Sequence, residues 1–317
     1  MNARGVPTGR RVLITGATGF IGRQCLPLLV SRGHEVHAVS SRPHPPEAPG
    51  VHWHPLDLLT DHATDALCAQ VRPEALLHLA WVTTPGLYTR TPANLDWVAA
   101  SLRLVRSAVA HGARRLVAAG TCFEYAHEGV DRLPETAVLR PGTLYGASKV
   151  ALGGLLAAFA REASVSSAWG RVFFLYGPHE HPDRLVASVV RALLSGEPAA
   201  CTEGTQVRDF LHVRDVAAAF VALLDGEISG PVNIGSGEPL TVRALVREIG
   251  AQLGRPELIA LGARPSSPRD PPRVVADVTR LRDEVGFQPG FGWREGLRDT
   301  IDWWSRSPIP SPGRASR

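Results

Sequence analysis

The run Arg11-Val12-Leu13-Ile14-Thr15, followed at once by Gly16-Ala17-Thr18-Gly19-Phe20-Ile21-Gly22, limits the folds open to this chain more than any other segment. Five residues of buried-strand character enter a glycine loop, and a helical pattern running to about Ser31 leaves it. Such a loop makes a tight turn, lets the main chain approach a pyrophosphate and aims a helix N-terminus at it. The spacing is Gly16-x-x-Gly19-x-x-Gly22, with the first interval longer than in GxGxxG. A turn that only reverses the chain is the alternative. The strand before and the helix after favour a nucleotide site.

The same alternation recurs downstream. Strand patterns fall at Glu35–Ser40, Val51–Trp53, Ala75–Leu79, Leu116–Ala119 and Arg171–Leu175, and helical patterns at Thr60–Gln70, Asn94–His111 and Ser148–Ala163. This is the rhythm of a doubly wound parallel sheet of Rossmann type, an α/β fold. Past Gly177-Pro178 the rhythm breaks. Helices at Arg184–Ser195, Val216–Leu224, Val242–Leu253 and Trp293–Trp304 are mixed with short extended pieces at Ala199–Thr202, Phe210–Val213 and Val232–Ile234. The expected organisation is a dinucleotide-binding domain over 10–177, rejoined by about 214–235 through one strand near Val232. A smaller mixed C-terminal substrate lobe covers 178–304. Residues 1–9 and 305–317 read as flexible ends, and Pro43–Pro49 as a loop.

Composition removes several function classes. A net charge of +4 and a pI near 9.2 invite a nucleic-acid reading, but the arginines are interspersed with acids and form no basic block, so no nucleic-acid partner is expected. No run approaches the ~18 apolar residues of a membrane span, and no apolar leader segment is visible, which reads as a cytoplasmic chain with no membrane partner. Cys25, Cys68, Cys122 and Cys201 are widely separated and fit reduced thiols. His52-x-His54 and His179-x-His181 lack a further ligand at recognisable spacing, so they read as loop or surface histidines and no metal is expected.

The end of the second strand bears on cofactor choice. An acid there would bind the ribose 2′-hydroxyl of NAD, whereas Arg accommodates the 2′-phosphate of NADP. The chain offers Val39-Ser40-Ser41-Arg42, with no acid before Glu47. Hydroxyls and a guanidinium suit phosphate oxygens, which favours NADP(H). The alternative is NAD, with Arg42 a solvated loop residue.

Lys149 is the chain's sole lysine and lies four residues after Tyr145, in Tyr145-Gly146-Ala147-Ser148-Lys149. Chance would put it at that offset from a tyrosine in about one placement in eighty. On a helix the two side chains share a face. For a phenol to exchange a proton near neutrality its pKa must fall by about three units, roughly 4 kcal/mol. One ammonium ~4 Å away at an effective dielectric near 20 supplies about that much. The expectation is that Tyr145 is an acid/base whose pKa Lys149 lowers. An amphipathic helix with Tyr buried and Lys solvated is the plainer alternative.

The glycine loop, Tyr145-xxx-Lys149 and the intervening Thr121-Cys122-Phe123-Glu124-Tyr125 together resemble the extended short-chain dehydrogenase/reductase family, in its sugar-nucleotide epimerase/dehydratase/reductase branch. The resemblance runs from about Arg11 to Trp304. It implies that Tyr145 is the acid/base, that Lys149 also holds the nicotinamide ribose, and that Thr121 orients the reacting oxygen. It further implies cofactor contacts from Gly16, Thr18, Gly19, Phe20, Ile21 and Gly22, from Ser40, Ser41 and Arg42, and from Asp57 and Leu58 near the adenine. Leu79-Ala80-Trp81 would pass under the cofactor, with Tyr176 beside the nicotinamide. Substrate contacts would come from Thr83, Thr121, Phe123, Phe174, Arg184, Arg208 and Arg269. A homodimer through Asn94–His111 and Ser148–Ala163 is implied as well.

Family dehydratases carry Asp-Glu directly after the Ser/Thr, where this chain has Cys122 and Phe123, so dehydration is disfavoured. Phe123 also stands where 3,5-epimerising reductases place a cysteine. Arg208, in Val207-Arg208-Asp209, matches the residue that pairs with a sugar-nucleotide diphosphate; a structural ion pair with Asp209 or Asp215 is the alternative. Phe174 replaces a polar substrate contact, and the second diphosphate arginine is out of register, with Ser266 and Ser267 in its region and Arg269 nearby. The expected function is an NADPH-dependent 4-ketoreductase of a nucleotide-linked 4-keto-6-deoxyhexose. The alternatives are an NAD-dependent 4-epimerase, a reductase of a natural-product ketone and, outside enzymes, a cofactor-sensing module. The intact Thr/Tyr/Lys set speaks against the last, because binding alone needs no phenol.

Overall fold

The computed structural model describes residues 9–307 apart from 43, 44, 46, 61, 62, 128 and 269. Most of both expected flexible ends, part of the Pro43–Pro49 loop and the side chain of Arg269 therefore lie outside the described residues. In chain order the strands are β1 Arg11–Thr15, β2 Glu35–Ser40, β3 Val51–Pro55, β4 Ala75–His78, β5 Arg115–Thr121, β6 Ser166–Val172, β7 Phe174–Tyr176, β8 Ala199–Ala200, β9 Val207–His212, β10 Gly230–Ile234, β11 Pro239–Thr241, β12 Ile259–Ala260 and β13 Arg273–Val274. The helices are α1 Gly22–Ser31, α2 Thr64–Val71, α3 Ala93–Ala110, α4 Leu144–Glu162, α5 Leu185–Leu194, α6 Val213–Asp225, α7 Val242–Gln252 and α8 Trp293–Arg306.

Seven strands form one parallel sheet in the order β10-β6-β5-β4-β1-β2-β3. Strand order reverses at β1, between β2 and β4, and the carboxyl ends of strands at such a switch point are where open α/β sheets bind ligands. The alternation of β1 explains its place. Val12 and Ile14 point to one face and pack with Cys25, Leu29 and Phe220 from α1 and α6. Leu13 points to the other and packs with Leu104, Leu152 and Leu156 from α3 and α4. All three β1 side chains are fully buried, as expected of a strand covered by helices on both faces.

The second layer is a mixed sheet in which β9 pairs with β7 and β13 in parallel and with β11 antiparallel. Helices α5, α7 and α8 close on it through Val186, Leu245, Leu297 and Trp304. The expected strand Arg171–Leu175 is really two. Chain leaves the main sheet at Phe173, whose N–H is bonded to the Ile234 carbonyl (3.0 Å), and β7 begins the smaller sheet. The single re-entry near Val232 is β10, paired with β6. Helix α4 starts at Leu144 rather than Ser148, because the Thr143 hydroxyl caps it by accepting the Gly146 N–H (3.1 Å). Among the described residues no helix is long and apolar enough to cross a membrane.

Candidate functional site

The glycine loop is shaped by close main-chain contact. Gly16 has a φ of +69°, and a Cβ there would lie 2.7 Å from the Ala80 nitrogen and 2.8 Å from the Leu79 carbon. The bare Gly16 thus lets the segment Leu79-Ala80-Trp81, after β4, lie directly against the loop. Gly22 is equally confined, since its Cβ would stand 2.1 Å from the Gly16 oxygen. Gly19 is exposed, with Thr18, Phe20 and Ile21 partly buried around it. Its N–H closes the turn on the Gly16 carbonyl (2.9 Å). Arg23, in the first turn of α1, clamps the loop by donating to the Thr18 and Gly19 carbonyls.

At the end of β2, the buried Ser40 hydroxyl accepts the Arg42 N–H (3.0 Å), while Ser41 and Arg42 are exposed. Burial lowers the pKa of Arg23, and the positive charge of Arg42 lowers it further. Among the described residues no ion pair engages Arg42. After β3, the Asp57 carboxylate accepts the Leu59 N–H (3.0 Å) and Leu58 is buried in the core.

Thr121 ends β5 and Tyr145 stands in the first turn of α4, with the Thr121 side chain near enough to act on the phenol. The Tyr145 ring lies edge-on to Tyr88 (5.0 Å between centroids), Phe123 (6.3 Å) and Trp81 (6.5 Å). The Tyr145 side chain is partly buried. Lys149, one turn further along α4, is buried, donates to the Ala119 carbonyl (2.8 Å) and lies 3.7 Å over the Trp81 ring. Trp81 is itself fixed by its indole N–H to Asn94 Oδ1 (2.8 Å).

One electrostatic expectation is corrected. Burial raises the Tyr145 phenol above its ordinary value, and the polar Thr121 side chain opposes the rise. Lys149 is not among the groups that set this shift; its ammonium donates to the Ala119 carbonyl and lies over the Trp81 face. The pKa of Lys149 is itself lowered to about 7 by burial, with Glu124 pulling the other way.

Glu124 was quoted in the sequence but given no role. It is buried beneath Thr121 and accepts the Thr121 N–H (2.8 Å), the Trp169 indole N–H (2.9 Å) and Arg171 Nε (2.7 Å). Its partners lie 45 and 47 residues away on β6, and only the capping-box spacing from Thr121 to Glu124 hints at the contact.

Phe123 and Phe174 face each other at 6.5 Å and form an apolar wall continuing to Phe210. The Arg208 guanidinium lies 5.2 Å over Phe174 and is paired with Asp270 (2.5 Å), not with Asp209 or Asp215. Asp209 instead accepts N–H groups of Ser236, Gly237 and Ala276, and Asp215 those of Gly290 and Phe291. Arg184 donates to the Thr83 carbonyl (3.2 Å) and lies 4.9 Å over Tyr88, the ring that abuts Tyr145. Tyr176 departs from the expected grouping. Its ring is buried in the C-terminal lobe and its hydroxyl donates to the Trp293 carbonyl (2.9 Å).

His179 and His181 are exposed loop residues, as expected, and His179 bonds Arg23 and packs at a tilt on Trp303; His52 and His54 lie on the edge strand β3 rather than in a loop and stack with His37 of β2. Among the described residues no group of three or more His, Cys, Asp and Glu is arranged to hold a metal ion. The four cysteines are unpaired and buried.

A glycine loop at the switch point, with a Thr, a Tyr and a Lys converging beyond it, defines a dinucleotide-dependent enzyme, and the relatives agree. The chain belongs to the NAD dependent epimerase/dehydratase family, whose model matches residues 12–235. UDP-glucose 4-epimerase of Rhizobium leguminosarum bv. trifolii is 28% identical over 327 residues, covering 94% of this chain and 98% of its own length. UDP-glucose 4-epimerase of Thermotoga maritima, solved with UDP-glucose, superposes with a TM-score of 0.85 at 25% identity, covering 93% of this chain and 98% of that one. MoeE5, solved with UDP-glucose and NAD, is 32% identical with a TM-score of 0.80, covering 93% and 99%. The chain is thus an NAD(P)-dependent enzyme of the extended short-chain dehydrogenase/reductase type.

Proposed function

We propose that the protein is an NADPH-dependent 4-ketoreductase of a nucleotide-linked 4-keto-6-deoxyhexose. The observation that carries the cofactor half of this reading is the end of β2, where Ser40, Ser41 and an exposed Arg42 stand in place of the carboxylate that would select NAD. The dinucleotide fits the residues present: Gly19 leaves bare main chain on the loop, and Trp81 and Lys149 flank the far end. Bound NADPH would supply the hydride taken up by the carbonyl carbon.

The chain's own groups do the rest. Thr121 holds the keto oxygen by hydrogen bonding, and Tyr145 delivers a proton to that oxygen as charge develops on it. A phenol kept protonated by burial is suited to donate. Lys149 holds the ribose hydroxyls. Arg208 binds the diphosphate, which requires exchange of its Asp270 partner. Phe123 and Phe174 form an apolar wall suited to a deoxygenated sugar carbon rather than a hydroxymethyl group. Dehydration lacks its acid, since Cys122 has a thiol pushed up to about 12 by burial and the Glu124 carboxylate faces the core.

A second reading, an NAD-dependent 4-epimerase, is favoured by the UDP-glucose 4-epimerases among the relatives and by the NAD bound to MoeE5. We also propose a homodimer through α3 and α4, which expose Leu95 and Leu155. A spectrophotometric screen separates the two chemistries. Stoichiometric loss of NADPH with a 4-keto sugar nucleotide supports reduction; interconversion of UDP-hexoses with NAD and no reaction with any 4-keto sugar overturns it.

A further inference from the structure

The reacting group rests on a buried ion pair that its chemistry does not use. Glu124 and Arg171 are both almost wholly buried, and the pair sits between the end of β5 and β6. Burying two charges costs more than packing apolar side chains of similar volume, so stability alone is a weak reason for such a pair. Space is also cleared for it. A Cβ on Gly120 would come within 2.2 Å of Trp169 Nε1 and 2.6 Å of Glu124 Oε1, so the strand carries glycine where the carboxylate and the indole meet.

The geometry connects this carboxylate to two residues of the reacting set. One oxygen accepts the Thr121 N–H, fixing the main chain at the end of β5 from which the Thr121 side chain acts on Tyr145. Both oxygens accept the Trp169 indole N–H, and the other face of that contact leads to Lys149, whose Nζ lies 5.8 Å from the Trp169 ring centroid. Around Lys149 the titratable and charged neighbours are few: His78 from β4, Tyr145 on its own helix, Arg171 from β6, and Glu124. His78 is held neutral, lowered to about 3 by burial and then by Lys149. Tyr145 is kept protonated by burial, and Arg171 is a cation. Glu124 is the group of opposite sign in this set.

We infer that Glu124 is a positioning residue of the site, holding Thr121 in place through its main chain and keeping the buried Lys149 an ammonium. The burial that brings Lys149 to the cofactor also disfavours its charge. A carboxylate behind the indole offsets that while staying out of the substrate cleft, where it would repel a diphosphate. The catalytic consequence of this inference rests on the function proposed above; the charge relation between Glu124 and Lys149 does not.

The sole lysine makes the test direct. Protein grown on ¹³C-labelled lysine gives a single side-chain signal, and its pH titration reads the charge of Lys149 without substrate or assay. In the native protein the midpoint is expected near 7, and in Glu124→Gln it falls by about one pH unit or more. Glu124→Gln leaves Arg171 without its counterion, so the double variant Glu124→Gln/Arg171→Gln is measured beside it. There the midpoint stays below the native one, and if the single variant fails to fold this measurement decides. An unchanged midpoint in Glu124→Gln, or a return to the native value in the double variant, overturns the inference, because Glu124 would then serve only Arg171. With a working assay, the loss of activity at rising pH moves to lower pH in step with the lysine signal.

Discussion

Two glycines of one loop allow folding and binding to be separated. Gly16→Ala places a side chain at a φ of +69°, with its Cβ 2.7 Å from the Ala80 nitrogen and 2.8 Å from the Leu79 carbon, main-chain atoms that follow a central strand and have no freedom to swing aside. The left-handed conformation costs ~1–2 kcal/mol and overpacking of this kind about 1–3 kcal/mol, together about 2–5 kcal/mol. For a chain of this size that lowers Tm by roughly 3–8 °C. Gly19 differs on every count. It is exposed, and a Cβ there meets the Gly16 oxygen at 3.0 Å and otherwise nothing nearer than 3.9 Å. Gly19→Ala should change stability by less than ~1 kcal/mol. The methyl would nonetheless stand on the surface that a pyrophosphate has to approach, so dinucleotide affinity should fall at least tenfold, about 1.4 kcal/mol. Thermal unfolding and a fluorescence titration with NADPH and NADH measure both quantities. Native affinity in Gly19→Ala would remove the cofactor from this loop, and native Tm in Gly16→Ala would refute the crowding argument.

Tyr145→Phe keeps the ring contacts with Tyr88 and Trp81 and loses the proton donor, so kcat should drop about 10²–10⁴-fold while the melting temperature and cofactor affinity stay near native values. Arg42→Ala should weaken NADPH relative to NADH by about tenfold to a hundredfold, the effect of losing one charged hydrogen-bond donor, with NADH affinity unchanged; an unaltered ratio of dissociation constants would remove the 2′-phosphate from this corner. Glu180 is buried, and burial pushes it up to about 8. Its folded pKa exceeds the unfolded value, so the native state binds the extra proton and stability falls as pH rises from the ordinary carboxylate range toward 8. Glu180→Gln should flatten that fall, by at most about 5 kcal/mol at ~1.36 kcal/mol per unit, seen as a Tm gain at pH 8 that is absent at pH 5.

What could be read from the sequence was local and periodic. The β1 run, the glycine loop and the four-residue offset from Tyr145 to Lys149 each show their geometry within a few residues, which is why fold and reacting group were visible together. The start of α4 was missed because Gly146 and Ser148 argue against a helix, while the Thr143 cap that overrides them is a single hydrogen bond. Strand β6 was seen only at its end, since Ser166, Ser167, Gly170 and Arg171 do not form an apolar run; Arg171 is buried because Glu124, far away in sequence, neutralises it. The Arg208–Asp270 pair and the inward turn of Tyr176 are likewise products of tertiary packing. The direction of the Tyr145 shift follows from burial by residues distant in sequence, which four-residue spacing does not show.

The central claim is net hydride delivery with Tyr145 as proton donor, and one labelling experiment addresses it most directly. NADPH deuterated at the transferring position of C4 of its nicotinamide is incubated with a nucleotide-linked 4-keto-6-deoxyhexose, and the product is analysed by mass spectrometry and NMR. The expected result is one deuterium on sugar C4 for each NADP⁺ formed, lost on the same timescale in Tyr145→Phe. Sugar interconversion without net oxidation of the cofactor and without deuterium in the product would contradict the account and make the protein an epimerase.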